Sequence, residues 1–500
     1  KRQVKNQIRW SGENEITVQE AQMRTFSNFA WMFMRTEGDY NFSTGSRGRG
    51  NLSSVANPYF LFPQIYNFRY NIYSSEWPVA NRAIELYLQK KSENEGWERQ
   101  INGLSNNEKA NLLLEKHTFK ELLADVEQRN LQNNIVGLEA SRIFARSEIN
   151  MGGDAFRDSL YAMLKRNTFL NIKFENMLDT LGQMSRTDIY SSLKEWEQLT
   201  PLPFYSIGEP ELTKVVNKGG EEFFVLKVLV SNNSDYDGII QMNVLQNGWW
   251  YQPLEDPRAR KKVEIAAHTT KEFVSVWEEQ IREVEVNTMI SGNLPYMIRQ
   301  SIGNVKQERN KIVKDSIYTL PESSLEMPGE IIVDNEDSTL FILSAPPIVG
   351  LLPKWLDEVE ETPFKYSGIS WWRAPLQWTA TTNAKYYGKY IRSAYVIKSG
   401  DGSQTATWKI PVPEAGQYEL YYYVFKNDEL RWNDRLQGEY HFRVAYDSEV
   451  EDAYINLRKA NEGWEQLGTY YFSADTVRVV LTDECKLRSV TADAVKIVKR

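Results

Sequence analysis

Thiol and imidazole groups are scarce in this 500-residue chain, which holds one cysteine, Cys485, and three histidines, His117, His268 and His441. A lone cysteine excludes a disulfide framework and a thiolate-rich metal site. Three histidines far apart in sequence give no reason to expect a histidine-rich metal site, and few bases for a Ser/His/Asp triad. Long apolar runs are missing as well: no stretch approaches the roughly eighteen residues of a membrane-crossing helix. A basic excess is also missing. The formal net charge is −8, so a groove that tracks phosphates is not expected. The glycines of Gly45 to Gly50 lack the Lys-Ser/Thr and helix of a phosphate-binding loop, and no GxSxG occurs. No signal peptide is visible after Lys1, and the chain reads as a processed piece of something longer.

Aromatic residues are abundant: 13% of the chain, with 15 Trp and 27 Tyr. That composition suits strand-rich domains with aromatic cores or aromatic-lined surfaces. The length calls for several domains. Ile16-Thr17-Val18 and Phe29 to Met34 read as strands, and Ser43 to Ser53 as a loop. Between 76 and 200 the spacing is helical. Val79, Ala83 and Leu86 share a face, and a helix opening at Leu112-Leu113-Leu114 is expected to run past Leu122 and Leu123. From 206 to 315 the period falls to two, as in a sandwich, with Phe223 to Val230 a buried strand. Residues 301–328 are polar and without pattern. Strand texture returns at Gly329 and continues through the C-terminal third.

Glu76-Trp77-Pro78-Val79-Ala80-Asn81-Arg82 followed by Tyr87-Leu88 resembles the helix of aminopeptidase-N family (gluzincin) peptidases that carries the third zinc ligand. In that family two histidines one turn apart and this glutamate hold the metal, and a further glutamate activates water. Laid on this chain, the resemblance puts Arg82 at the third ligand, Tyr59 and Pro63 at the histidines, Phe60 at the base and Gln64 at the family's glutamine. None of the ligand or base positions keeps a usable group. Gly137 to Phe156 is similar to the helix whose first position carries the family's transition-state tyrosine, here Gly137. Thr36-Glu37-Gly38, Asp188 to Pro203 and Val286 to Pro295 are similar to other family segments, in order, as found in relatives fused to ABC transporter permeases. The resemblance covers about residues 10–300. It implies that Arg82 supplies a cation in place of zinc, beside an acid such as Glu37 or Glu139.

Near the C-terminus, Gly416-Gln417-Tyr418-Glu419-Leu420, Trp464-Glu465-Gln466-Leu467-Gly468-Thr469-Tyr470 and Val490-Thr491-Ala492-Asp493-Ala494-Val495 occur in order. They resemble the signature of the golvesin C-terminal-like domain, also described as a xanthan-lyase carbohydrate-binding-like domain. The resemblance implies an antiparallel sandwich. Exposed aromatics that stack on sugars are the candidates for binding: Trp371, Trp372, Trp378, Tyr386, Tyr387 and Trp432. The alternative for each is burial. Asp493 reads as a structural hydrogen-bonding residue.

The expected fold class is multidomain α+β, with a helical thermolysin-like remnant, an Ig-like β-sandwich and a golvesin-like antiparallel β-sandwich. Expected domains are 1–205, peptidase-like with a helical subdomain; 206–300, Ig-like; 301–328, a linker; and 329–500, golvesin-like with an insertion at 341–368. The function expected is that of a non-catalytic pseudo-aminopeptidase scaffold of a bacterial envelope or periplasm, without cofactor or metal. It would bind a protein, peptide or glycan, with permease components of an ABC-type complex as candidate partners and no nucleic acid. Glu37, Gln64 and Arg82 are the binding candidates in the peptidase-like part. The alternatives are a carbohydrate-binding protein acting through the C-terminal module, or a hydrolase with an unrecognised site.

Overall fold

The computed structural model describes residues 17–23, 70–88, 95–167, 170–199, 201–216, 219–245, 256–303, 305–309, 313–321, 325, 329–344, 364–369, 374–426 and 438–500. Their contacts divide them into two units.

Unit 1 draws on residues up to 88 and on 117–199. It contains β1 (Tyr70–Tyr73) and α1 (Ala80–Leu88), whose apolar stripe Ala83, Ile84, Tyr87 and Leu88 is buried. Helices α2 (Glu95–Asn102) and α3 (Asn106–Lys116) lie between these elements in sequence but group with unit 2. Unit 1 resumes with α4 (Phe119–Ala124), α5 (Gln132–Met151), α6 (Gly153–Arg166), β2 (Leu170–Lys173), α7 (Phe174–Ser185) and α8 (Ile189–Lys194). The twenty-residue α5 is buried along Ile135, Val136, Ala140, Ile143 and Phe144, and α1, α6, α7 and α8 pack on it. β1 and β2 pair in parallel. A thermolysin-like zinc helix would fall on residues outside those described.

Two expected elements differ here. Thr17-Val18, read as strand, begins a helical turn over 18–23. Thr17 Oγ1 accepts from Glu20 N at 3.2 Å, and Glu20 Oε2 accepts from Thr17 N at 2.9 Å, a capping box. The helix expected to run from Leu112 past Leu123 breaks at Thr118, which forms the same box with Glu121.

Unit 2 contains two sandwiches. The first comprises β3 (Tyr205–Ile207), β4 (Glu211–Val216), β5 (Glu222–Asn232), β6 (Gly238–Leu245), β7 (Arg260–Ile265), β8 (Thr269–Trp277), β9 (Glu283–Asn287), β10 (Met297–Ser301), β11 (Lys306–Arg309) and β12 (Ser316–Pro321). One sheet has the order β10-β9-β6-β7, the other β11-β4-β5-β8-β12 with β3 on β5. Leu226, Val228, Ile240, Val244, Phe273 and Val284 fill the core between them. The expected linker is therefore corrected: β11 pairs with β4 and β12 with β8 inside residues 301–328. These are edge strands, largely exposed, so they carry no apolar alternation to read.

The C-terminal sandwich comprises β13 (Glu330–Val333), β14 (Phe341–Leu343), β15 (Thr379–Thr382), β16 (Ser393–Lys398), β17 (Thr405–Pro411), β18 (Gly416–Val424), β19 (Glu439–Tyr446), β20 (Glu449–Asn456), β21 (Gly463–Phe472), β22 (Thr476–Thr482), β23 (Ser489–Ala492) and β24 (Val495–Lys499). Its sheets run β13-β24-β18-β21, β14-β17-β22-β19-β20 and β15-β16-β23. Trp408, Tyr418, Leu420, Tyr422, Phe442, Phe472 and Ile497 lie in the shared core. The expected insertion begins too early: Phe341 pairs with Trp408 within the sheet, and Tyr366 is buried. The chain is thus mostly β-sheet with a helical part, and its C-terminal module is a β-sandwich.

Candidate functional site

Strand alternation sorts the aromatics of the C-terminal module. Along β18, Tyr418, Leu420, Tyr422 and Val424 are buried, while Glu419, Tyr421 and Tyr423 take the opposite face and stay half-buried. Register across the sheet places Ile332, Lys496, Tyr421 and Gln466 in one row, and Glu330, Val498, Glu419 and Thr469 in the next. Tyr423 lies opposite Trp464. Trp464 reaches this face because β21 bulges: Leu420 faces Gly468 but Tyr421 faces Gln466, skipping Leu467. Without that extra residue Trp464 would share the inward parity of Tyr470.

The result is an aromatic platform on the outer face of the sheet. Trp464 and Tyr423 meet edge to face, with centroids 5.2 Å apart, and Tyr387 packs on both at 5.0 and 5.5 Å. Lys496 Nζ lies 4.8 Å from the Trp464 centroid and 5.3 Å from that of Tyr421. Its ammonium is also 2.9 Å from Glu330 Oε1. Tyr421 OH donates to Glu419 Oε2 at 2.7 Å, and Gln466 Nε2 donates to Thr469 Oγ1 at 3.2 Å. Carboxylates, an amide and an ammonium thus border half-exposed rings.

Beneath the platform sits a buried polar layer. Asp493 is fully buried; one carboxyl oxygen accepts from Tyr387 N at 3.2 Å, and the other meets no donor among the described residues. Burial, then the nearby Asp334, pushes the Asp493 carboxyl well above the ordinary range. Burial likewise pushes Asp334 up to about 8. Arg392 donates to Ala384 O at 2.8 Å, and desolvation lowers its pKa. Tyr423 is pushed up to about 12, mainly by burial.

Of the sequence candidates, Tyr387 joins the platform. Tyr386 is corrected to a core residue: it is 5% exposed and packs against Phe425. Trp378 packs against the module's core, its indole N–H buried without an acceptor among the described residues. Trp371, Trp372 and Trp432 lie outside the described residues, as do Glu37, Tyr59, Phe60, Pro63 and Gln64. Arg82 is half-buried, its Nη1 3.1 Å from Glu85 Oε2 and its Nε donating to Asn133 Oδ1 at 3.1 Å. Glu139, expected as a partner, pairs with Arg142. Gly137 lies buried in α5, where an added Cβ would meet Leu86 at an ordinary 3.7 Å. Sequence reading missed Tyr421, Tyr423, Trp464 and Lys496. Period-two alternation along β18 and β24 was the available signal for all but Trp464.

None of the curated proteins matches the sequence. Among solved structures, a Paenibacillus xanthan lyase is 16% identical over 60% of this chain and 27% of its own, with a TM-score of 0.24. A Podospora anserina GH26-CBM35 β-(1,4)-mannanase is 11% identical over 35% of this chain and 28% of its own, at 0.20. Legionella pneumophila aminopeptidase A is 16% identical over 32% of this chain and 18% of its own, at 0.18. The chain thus spans less than a third of each of these proteins. Residues 372–499, which include most of the platform, match the Golvesin C-terminal domain family.

Proposed function

We propose that the C-terminal module binds carbohydrate on the outer face of the β13-β24-β18-β21 sheet. The observation that carries this is the platform itself: Tyr387, Tyr421, Tyr423 and Trp464 gathered on one face, bordered by Glu330, Glu419, Gln466 and Lys496. A sugar ring offers C–H faces to aromatic rings and hydroxyls to such polar groups, and the two demands are met side by side. The family match over residues 372–499 agrees with a module of this kind. The 500-residue chain on a glycan array should retain at least one polysaccharide, and Trp464→Ala should weaken that binding about tenfold or more. An array that stays blank, or an undiminished Trp464→Ala variant, refutes the reading.

For unit 1 we propose a scaffold without peptidase chemistry, on the extracytoplasmic side of a bacterial envelope, where it contacts protein partners. The resemblance to gluzincins supports this, together with Arg82, a guanidinium paired with Glu85 at the position the resemblance gives to a zinc ligand. Purified protein should contain no stoichiometric zinc by elemental analysis and release no product from aminoacyl-anilides. One equivalent of zinc, or steady turnover, rejects it.

A further inference from the structure

The aromatic face continues along the strands beyond the platform, and its meaning rests on the carbohydrate reading above. Register runs from Tyr423 opposite Trp464 at one end to Gln417 opposite Tyr471 at the other, with Tyr421 and Thr469 at the outward positions between. Tyr470 and Phe472 turn into the core, so Tyr471 between them faces out, and it is 65% exposed. A single exposed tyrosine carries no meaning by itself. Tyr471 differs in sharing one face and the same two strands with the platform. Tyr423 and Gln417 are six residues apart on β18, which is roughly 20 Å at the rise of a strand. Rings thus stand at both ends of a straight strip, with the Tyr421 ring on the way. The outward groups between are the Gln466 amide, the Thr469 hydroxyl and the Glu419 carboxylate, all able to exchange hydrogen bonds with sugar hydroxyls.

One sugar ring covers one aromatic side chain, whereas a strip of this length accommodates several in a row. Its straightness selects the linkage. Links that are equatorial at both carbons, as in β-1,4-glucans, mannans and xylans, lay successive rings out as an extended ribbon. Axial links coil the chain away from a flat face. We propose that the module binds the interior of an extended, β-1,4-linked polysaccharide laid along β18 and β21, with Tyr471 as a far subsite.

Calorimetry on the 500-residue chain uses β-1,4-linked gluco-, manno- and xylo-oligosaccharides, from disaccharide to hexasaccharide. In at least one series the hexasaccharide should bind about tenfold more tightly than the disaccharide. Tyr471→Ala should remove most of that gain and leave the disaccharide unchanged, whereas Trp464→Ala should weaken both. A disaccharide that binds as tightly as the hexasaccharide overturns the extended track but leaves the carbohydrate reading standing. Silence of all three series, from a protein that retains another polysaccharide on the array, does the same. No glycan bound in either assay overturns both. A Tyr471→Ala variant that melts with wild type and keeps the full dependence on length overturns the role given to Tyr471.

Discussion

Asp334 and Asp493 are carboxyls that the fold prefers to keep protonated. Asp334 is half-buried, near Glu336 and Asp337 and with Lys365 as the opposing cation; burial moves it from 3.8 to about 8. A group whose folded pKa is raised holds a proton in the folded chain that the unfolded chain has released. The contribution of Asp334 to stability is therefore fullest below about pH 4 and is lost as pH rises through about 8. Asp493 acts in the same direction. The melting temperature of the C-terminal module should thus decline between pH 5 and 8, and Asp334→Asn should flatten that decline. A slope unchanged in Asp334→Asn would show that another group sets it. Asp493 reads as a structural hydrogen-bonding residue, and its carboxyl group accepts from Tyr387 N at 3.2 Å. The platform was read less well. Dense aromatics, as at Tyr386-Tyr387, are visible in the sequence, but which ring faces out is decided by strand parity at Tyr421 and Tyr423 and by the turn between β15 and β16 at Tyr387. Tyr386 and Tyr387 are adjacent, yet only the second belongs to the site.

At the level of elements, regular strands were the most legible. Phe223 to Val230 reads as a buried strand, and the strand found there runs Glu222–Asn232. Such a strand has a buried face, and burial writes the period. Helix starts were less well read although their signal was present. Thr17/Glu20, Thr118/Glu121 and Ser105/Glu108 all have the spacing of a capping box, and in each the backbone and side-chain bonds are made. Leucine periodicity masked the one at Thr118, because apolar stripes on α3 and α4 run on in sequence across the break. The bulge in β21 had no such signal. Gly468 is its one local mark, where an added Cβ would meet the Tyr470 ring at 2.8 Å. An extra residue in a strand is defined by its partner strand, so it is not written locally. The edge strands β11 and β12 were lost for a related reason: exposure on most positions removes the pattern.

Across the whole molecule, the boundary that sequence reading missed is the transfer of α2 and α3 to the β-rich unit. Their texture is helical and they lie among the helices of unit 1 in sequence, so periodicity could not separate them. What joins them to unit 2 is long-range: an apolar cluster of Leu104 with Leu294, Tyr366 and Ala380, against which Leu112 packs, and a set of polar contacts. Asn107 Nδ2 donates to Tyr296 OH at 3.1 Å, Tyr296 OH donates to Glu95 at 2.5 Å, and Thr382 Oγ1 donates to Gly103 O at 2.7 Å. Gly103 has φ +78, and an added Cβ would lie 2.4 Å from the backbone of Ser367, so only glycine permits this approach. Glu108 anchors the pair. It is fully buried, accepts from Ser105 N at 2.7 Å and is held by Arg99 Nη2 at 2.7 Å. Removing it leaves a mostly buried guanidinium and a buried N–H unpaired, a loss on the order of 3 kcal/mol. Glu108→Ala should therefore speed hydrogen exchange in Tyr205–Ile207, Met297–Ser301 and Thr379–Thr382, with Gln132–Met151 of unit 1 unchanged. Glu108→Gln keeps an acceptor for Ser105 and should show a smaller effect. Exchange that rises in α5 and not in these strands would assign the two helices to unit 1, as their sequence position suggests.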